Sequence, residues 1–164
     1  PIPMVKAFYD GLEEGKFYGV KCPECGHVNF PAYPVCNECG NIYGELVELS
    51  GDAVVNELFA VPSTYTFPSF APYAPLFSGE VKLKEGPEFS ALVFGITPET
   101  YEEMRDGGPF DVKLVAMPIL GQDYCSFAVS YNGAVPTPDP TKTVSKDFER
   151  LMSARVEEIT GDAD

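Results

Sequence analysis

Apolar and polar positions divide the chain into stretches of different period. Residues 5 to 14 place Val5, Phe8, Tyr9 and Leu12 at i, i+3, i+4 and i+7, the single apolar stripe of a short helix, with Gly15 able to end it in a left-handed conformation. Such a stripe packs against the rest of the chain or against another subunit, and internal packing is the commoner outcome. From Gly51 onward the pattern shortens to β-rich runs: GDAVVNELFAV, LFSGEVKLK, EFSALVFGI, FDVKLVAMP and YCSFAVSY. Val81 and Leu83 alternate with Lys82 and Lys84, and Val112 and Leu114 flank Lys113, as in strands with one buried face.

Between the third and fourth runs lies TPETYEEMRDGG, where Thr97 caps a helix, Pro98 takes its first turn, and Gly107 and Gly108 close it. Three strands, one helix and two strands is the order of an OB-fold barrel; a parallel α/β sheet needs a helix after nearly every strand. PSTYTFPSFAPYAP, between the first two runs, is rich in proline and aromatics without a period and reads as a stiff, extended loop. After PTPDPT, Val144, Phe148, Leu151, Met152, Val156 and Ile159 recur at helical spacing and predict a two-faced C-terminal helix. The expectation is a mainly β chain: N-terminal helix over 1–15, metal ribbon over 16–48, five-stranded OB-fold over 49–136, and linker with C-terminal helix over 137–164.

The ribbon rests on its cysteines. Cys22 and Cys25, then Cys36 and Cys39, form two Cys-x-x-Cys pairs separated by ten residues. Each short turn offers two sulfurs to one ion, and four thiolates suit zinc in a tetrahedron with no open position, so the expected ion is structural. Gly26 and Gly40 follow the second cysteine of each knuckle, where a positive φ is required. His27 is an ordinary polar residue once four sulfurs are available. Iron accepts the same sulfur set, and a rubredoxin-like iron electron carrier is an alternative that metal analysis separates.

Eleven basic against 25 acidic side chains give a net charge of −14, which disfavours nucleic acid and anionic membranes as partners. An OB-fold single-stranded nucleic-acid binder is therefore only a second alternative. No run approaches the roughly 20 apolar residues of a membrane span, and the N-terminal residues lack the pattern of a signal peptide, so a cytoplasmic protein is expected.

Cys125 is the one cysteine outside the knuckles, and the single histidine, His27, lies far from it in sequence, so it reads as a small core residue. The carboxylate pairs Glu13–Glu14, Glu102–Glu103 and Glu157–Glu158 fall on predicted helix surfaces, and no catalytic constellation emerges.

FYDGLEEGKFYGVKCPECGHVNFPAYPVCNECG, followed by a glycine-led strand series, resembles the acyl-CoA-associated family of unknown-function domains (DUF35) that joins a rubredoxin-like zinc ribbon to an OB-fold. The resemblance rests on the aromatic-x-x-Gly-Leu pattern from Phe8 to Leu12, Lys21 before Cys22, and Pro31 and Pro34 before the second knuckle. It implies a non-catalytic small subunit in complex with a thiolase-fold enzyme, such as a thiolase, an acetyltransferase or an aldolase assembly. The reactive cysteine then belongs to the large subunit, and the small one supports assembly and the channel for the CoA arm. Thiolases of anaerobic aromatic degradation are the preferred hosts.

CoA or acyl-CoA, shared with that partner, would need local cations and an aromatic slot. Lys82, Lys84 and Lys113, with Tyr65, Phe67, Phe70 and Tyr73, are the candidate contacts; the bland reading makes the lysines solvated strand residues and the aromatics a seal for the barrel mouth.

Overall fold

The computed structural model describes residues 3–42, 44–62 and 67–142. Helix α1 (Pro3–Glu13) starts two residues earlier than the stripe suggests, because proline is tolerated in a first turn, where no intrahelical bond is asked of its nitrogen. Phe8 and Leu12 are buried; Tyr9 is exposed at the edge of the stripe. Gly15 follows with φ 72°.

The ribbon contains a small sheet that the knuckle-centred reading did not resolve. Strand β1 (Phe17–Lys21) pairs antiparallel with the two-residue β2 (Val28–Asn29) on one side and with β3 (Glu45–Leu49) on the other. These strands are too short, and too interrupted by turn residues, for a period of two to show.

Gly51, at φ 81°, turns the chain into the barrel. Strands β4 (Asp52–Val61), β5 (Leu76–Leu83), β6 (Glu88–Phe94), β7 (Phe110–Pro118) and β8 (Cys125–Ser130) close in the order β4-β5-β6-β8-β7. Every pairing is antiparallel except β6 with β8, the arrangement of an OB-fold. The strand-forming runs thus lie within a few residues of the observed strands. Val81, Leu83, Val112 and Leu114 point into the core, and Lys82, Lys84 and Lys113 point out.

A bulge between Val55 and Glu57 bends β4. Gly79 on β5 lies against that bend, where a Cβ would come within 2.7 Å of Val55 Cγ1 and 2.9 Å of the Glu57 carbonyl. Helix α2 (Pro98–Met104) joins β6 to β7. The Thr97 hydroxyl accepts from the Thr100 N–H and the Thr100 hydroxyl accepts from the Thr97 N–H, a reciprocal cap that stops the helix from unwinding at its start.

Two buried clusters organise the interior. The larger runs through α1, the ribbon and the barrel, from Phe8 and Leu12 through Val20 and Phe30 to Val81 and Val129. The smaller, with Tyr73, Leu76, Val115, Met117, Ile119 and Ala128, fills the barrel end beneath the proline-rich loop. An aromatic group joins the parts: Phe30 of the ribbon lies 5.6 Å from Phe8 of α1, 5.3 Å from Phe89 of β6 and 4.9 Å from Phe127 of β8 between ring centroids. Among the described residues no helix is long and apolar enough to cross a membrane. The C-terminal helix expected over Val144 to Ile159 lies outside the described residues.

Candidate metal centre

Each knuckle is built the same way from backbone hydrogen bonds. The Cys22 N–H donates to the His27 carbonyl (2.9 Å) and the Gly26 N–H to the Cys22 carbonyl (2.9 Å). The Cys36 N–H donates to the Asn41 carbonyl (2.8 Å) and the Gly40 N–H to the Cys36 carbonyl (2.9 Å). Gly26 and Gly40 sit at φ 76° and 77° with open space where a Cβ would be, so glycine is needed there for its backbone freedom rather than for room.

The two turns face each other. All four sulfurs lie within 4.8 Å of one another, and the cross-knuckle pairs Cys22–Cys39 and Cys25–Cys36 approach to 3.5 and 3.6 Å. A tetrahedron with metal–sulfur bonds of about 2.3 Å has edges of roughly 3.8 Å, so the spacing fits a tetrathiolate ion. His27 is not among the grouped ligands.

Proton affinity across the cluster is split. Cys36 is pushed down to about 6, first by the Asn29 side chain and then by the Cys39 N–H. Cys22 also moves down, led by the Cys25 N–H. At Cys25 the His27 N–H pulls the thiol down, but desolvation and the other three sulfurs outweigh it and push it up to about 12. Cys39 moves up as well: the Asn41 N–H is overridden by the Cys22 sulfur and by desolvation. Sulfurs this close cannot all carry charge by themselves, and a divalent cation at their centre removes that conflict. Four thiolates fill a tetrahedral ion's positions, so it would hold the ribbon together and leave no place for substrate.

Two polar residues at this site went unnoticed in the sequence. Asn29, 2% exposed, donates from Nδ2 to the Val20 carbonyl (3.3 Å), and its Oδ1 accepts from the Asn37 N–H (2.9 Å). Asn41 Nδ2 donates to the Cys22 sulfur at 3.8 Å. The available signal was an asparagine shortly after each knuckle, in CPECGHVN and CNECGN.

The model of the ChsH2 rubredoxin-like zinc ribbon domain matches residues 10–41. Residues 10–41 are similar to a ChsH2-type zinc ribbon. The matched span takes in the end of α1, both knuckles and both asparagines, so the resemblance seen in the sequence holds for the ChsH2-type ribbon. A solved structure described as "Ltp2-ChsH2(DUF35) aldolase" aligns at TM-score 0.57 and 18% identity, over 79% of this chain and 97% of that one. It shows a shared fold for the ribbon and the barrel. A DUF35-family protein of unknown function from Sulfolobus solfataricus aligns at TM-score 0.49 and 17% identity, over 79% and 85% of the two chains. No curated protein matches the sequence.

The candidate CoA contacts do not converge on one place. Lys82 and Lys84 stand near the end of β5, with Lys113 across β4, and they line or border a groove of about 330 Å³ with Asp52, Val54 and Asp111. Lys113 is ion-paired to Asp52, and Lys82 lies 3.9 Å from Glu88. The proline-rich loop enters at the other end of β5, about 20 Å away at a strand rise of roughly 3.3 Å per residue. There Phe67 is exposed, Phe70 packs on the smaller core cluster, and Tyr73 is buried with its hydroxyl donating to the Pro118 carbonyl. Tyr65 lies outside the described residues. Cys125 is half-buried at the start of β8, opposite Pro118.

Proposed function

We propose that this chain is a non-catalytic, zinc-binding accessory subunit of a hetero-oligomeric acyl-CoA enzyme of the thiolase-fold acyltransferase class. In that assembly it supports complex formation and one wall of the channel for the acyl-CoA. The observation that carries the reading is the closed four-sulfur cluster in a ChsH2-type ribbon set on an OB-fold barrel. A site of this kind organises a chain without offering it chemistry. The described residues add no pairing of a nucleophile with a base, so chemistry would come from a partner. The structure described as "Ltp2-ChsH2(DUF35) aldolase" names a chain of this fold together with a second component, which supports a hetero-oligomeric assembly.

Within the proposal, zinc is structural, and residues 1–15, 16–48, 49–136 and 137–164 act as helix, ribbon, barrel and tail. CoA is shared with the catalytic subunit, and the location is cytoplasmic. Lys82, Lys84 and Lys113 are candidates for its charged end, and Tyr65, Phe67, Phe70 and Tyr73 for its arm. Their separation along β5 favours two contact zones over a single slot. A thiolase of anaerobic aromatic degradation, such as one cleaving benzoylsuccinyl-CoA, is the preferred host, a choice that rests on family resemblance alone.

The test is co-purification from the native source, identification of the co-eluting subunit by mass, and reconstitution from the separate chains. CoA-dependent cleavage of an acyl-CoA should need both chains. Full activity of the large subunit alone, or the absence of a thiolase-fold partner, overturns the reading.

A further inference from the structure

The four sulfurs of the ribbon differ in their surroundings. The leading cysteine of each knuckle, Cys22 or Cys36, is buried at 1% and 6% exposure, while the trailing Cys25 and Cys39 are exposed. A buried thiolate without a donor carries its desolvation cost unrelieved. Both leading sulfurs have an asparagine at hand, and in each case it comes from beyond the opposite knuckle. Asn41, past the second knuckle, donates to Cys22 of the first. Asn29, past the first, holds the Asn37 N–H beside Cys36 of the second and is anchored by the Val20 carbonyl of β1.

The geometry points to Asn29 and Asn41 as a crossed pair of positioning residues that fix the two knuckles against each other, Asn29 by holding the Asn37 N–H next to Cys36 and Asn41 by donating to the Cys22 sulfur and so setting its electron donation to the bound ion. Amide N–H groups aimed at a metal-bound thiolate stabilise its charge and orient its lone pairs, and such outer contacts govern metal affinity almost as strongly as the ligands do. The crossing matters as much as the donation. Each asparagine ties its own strand or turn to the other knuckle, so part of the ordering entropy of the site is met by the protein before metal arrives. The inference depends on the ribbon alone and stands whether or not the chain assembles with an enzyme.

The test uses the full chain, with zinc affinity measured by competition against a chromophoric chelator and absorption spectra taken after cobalt(II) loading. Asn41→Leu keeps the volume and removes the donor. Asn29→Asp keeps the acceptor for the Asn37 N–H and removes the amide. Each is expected to weaken zinc binding roughly 10- to 100-fold and to shift the sulfur-to-cobalt charge-transfer bands. Asn41→Gln, which restores an amide one methylene further out, should recover most of the affinity lost in Asn41→Leu. Each asparagine is judged by its own variant: affinity within twofold of the parent with unshifted cobalt bands removes it from the role. A glutamine variant as weak as the leucine one overturns the donor argument for Asn41.

Discussion

The ring of Phe30 meets the ring of Phe127 edge to face, with centroids 4.9 Å apart and planes at 69°, so the residue just past β2 of the ribbon is seated on β8 of the barrel. Phe89 of β6 and Phe8 of α1 close around the same ring. Three separately wound pieces of chain therefore share one buried aromatic centre. The ribbon, too small to carry a core of its own, draws on that of its neighbour.

Phe30→Ala should consequently cost the whole molecule stability, not the ribbon alone. Truncating a buried phenylalanine typically loses about 3–5 kcal/mol through lost contacts and the cavity left behind. Denaturant unfolding of the zinc-loaded chain should show that loss, with ribbon and barrel signals separating into two transitions. A loss below about 1 kcal/mol would mean that ribbon and barrel stand independently.

Cys36→Ser removes one ligand and one charge from the cluster. Structural zinc sites of this size draw on the order of 10 kcal/mol of folding free energy from the metal. The variant should lose stoichiometric zinc by elemental analysis, and the ribbon amides should lose hydrogen-exchange protection while those of the barrel keep most of theirs. Chelation of the parent chain should give the same pattern. Retention of one equivalent of zinc by Cys36→Ser would contradict a four-sulfur site.

How much of this was legible beforehand follows from length and repetition. The barrel strands are long enough, up to the ten residues of β4, for alternation to be read directly, and Lys82, Lys84 and Lys113 mark their outer faces. The cysteine knuckles repeat a spacing that few other chemistries use. β1, β2 and β3 were not legible, because two to five residues do not make a period. The aromatic centre was hidden for another reason: Phe8, Phe30, Phe89 and Phe127 lie on elements distant in sequence, and nothing local says that they meet. Asn29 and Asn41 look like ordinary turn residues until the opposite knuckle is placed beside them.

At the start of β4, the Asp52 carboxylate is ion-paired with Lys113, which holds its pKa below the ordinary carboxylate range, with Lys84 adding a smaller pull. A folded-state pKa below the unfolded one means that the pair stabilises the fold above the usual carboxylate pKa, and that this contribution disappears as pH falls through the depressed value. Asp52→Asn should therefore lower the melting temperature at neutral pH and converge with the parent in acid. Acid also strips metal from both proteins, so the difference between the two isolates the carboxylate. A constant difference down to strongly acidic pH would sink the assignment, and the effect should be small because the pair is exposed.

Cys125 is the one thiol outside the two knuckles. It is half-buried at the start of β8, opposite Pro118, and packs against the larger core cluster. A nucleophilic thiol needs a base or a positive field beside it. The chain's single histidine, His27, lies in the ribbon, where its carbonyl receives the Cys22 N–H. Cys125→Ser should then leave the turnover of the reconstituted complex close to that of the parent. Turnover abolished with assembly intact would place the nucleophile on this chain and remove the division of labour proposed for it.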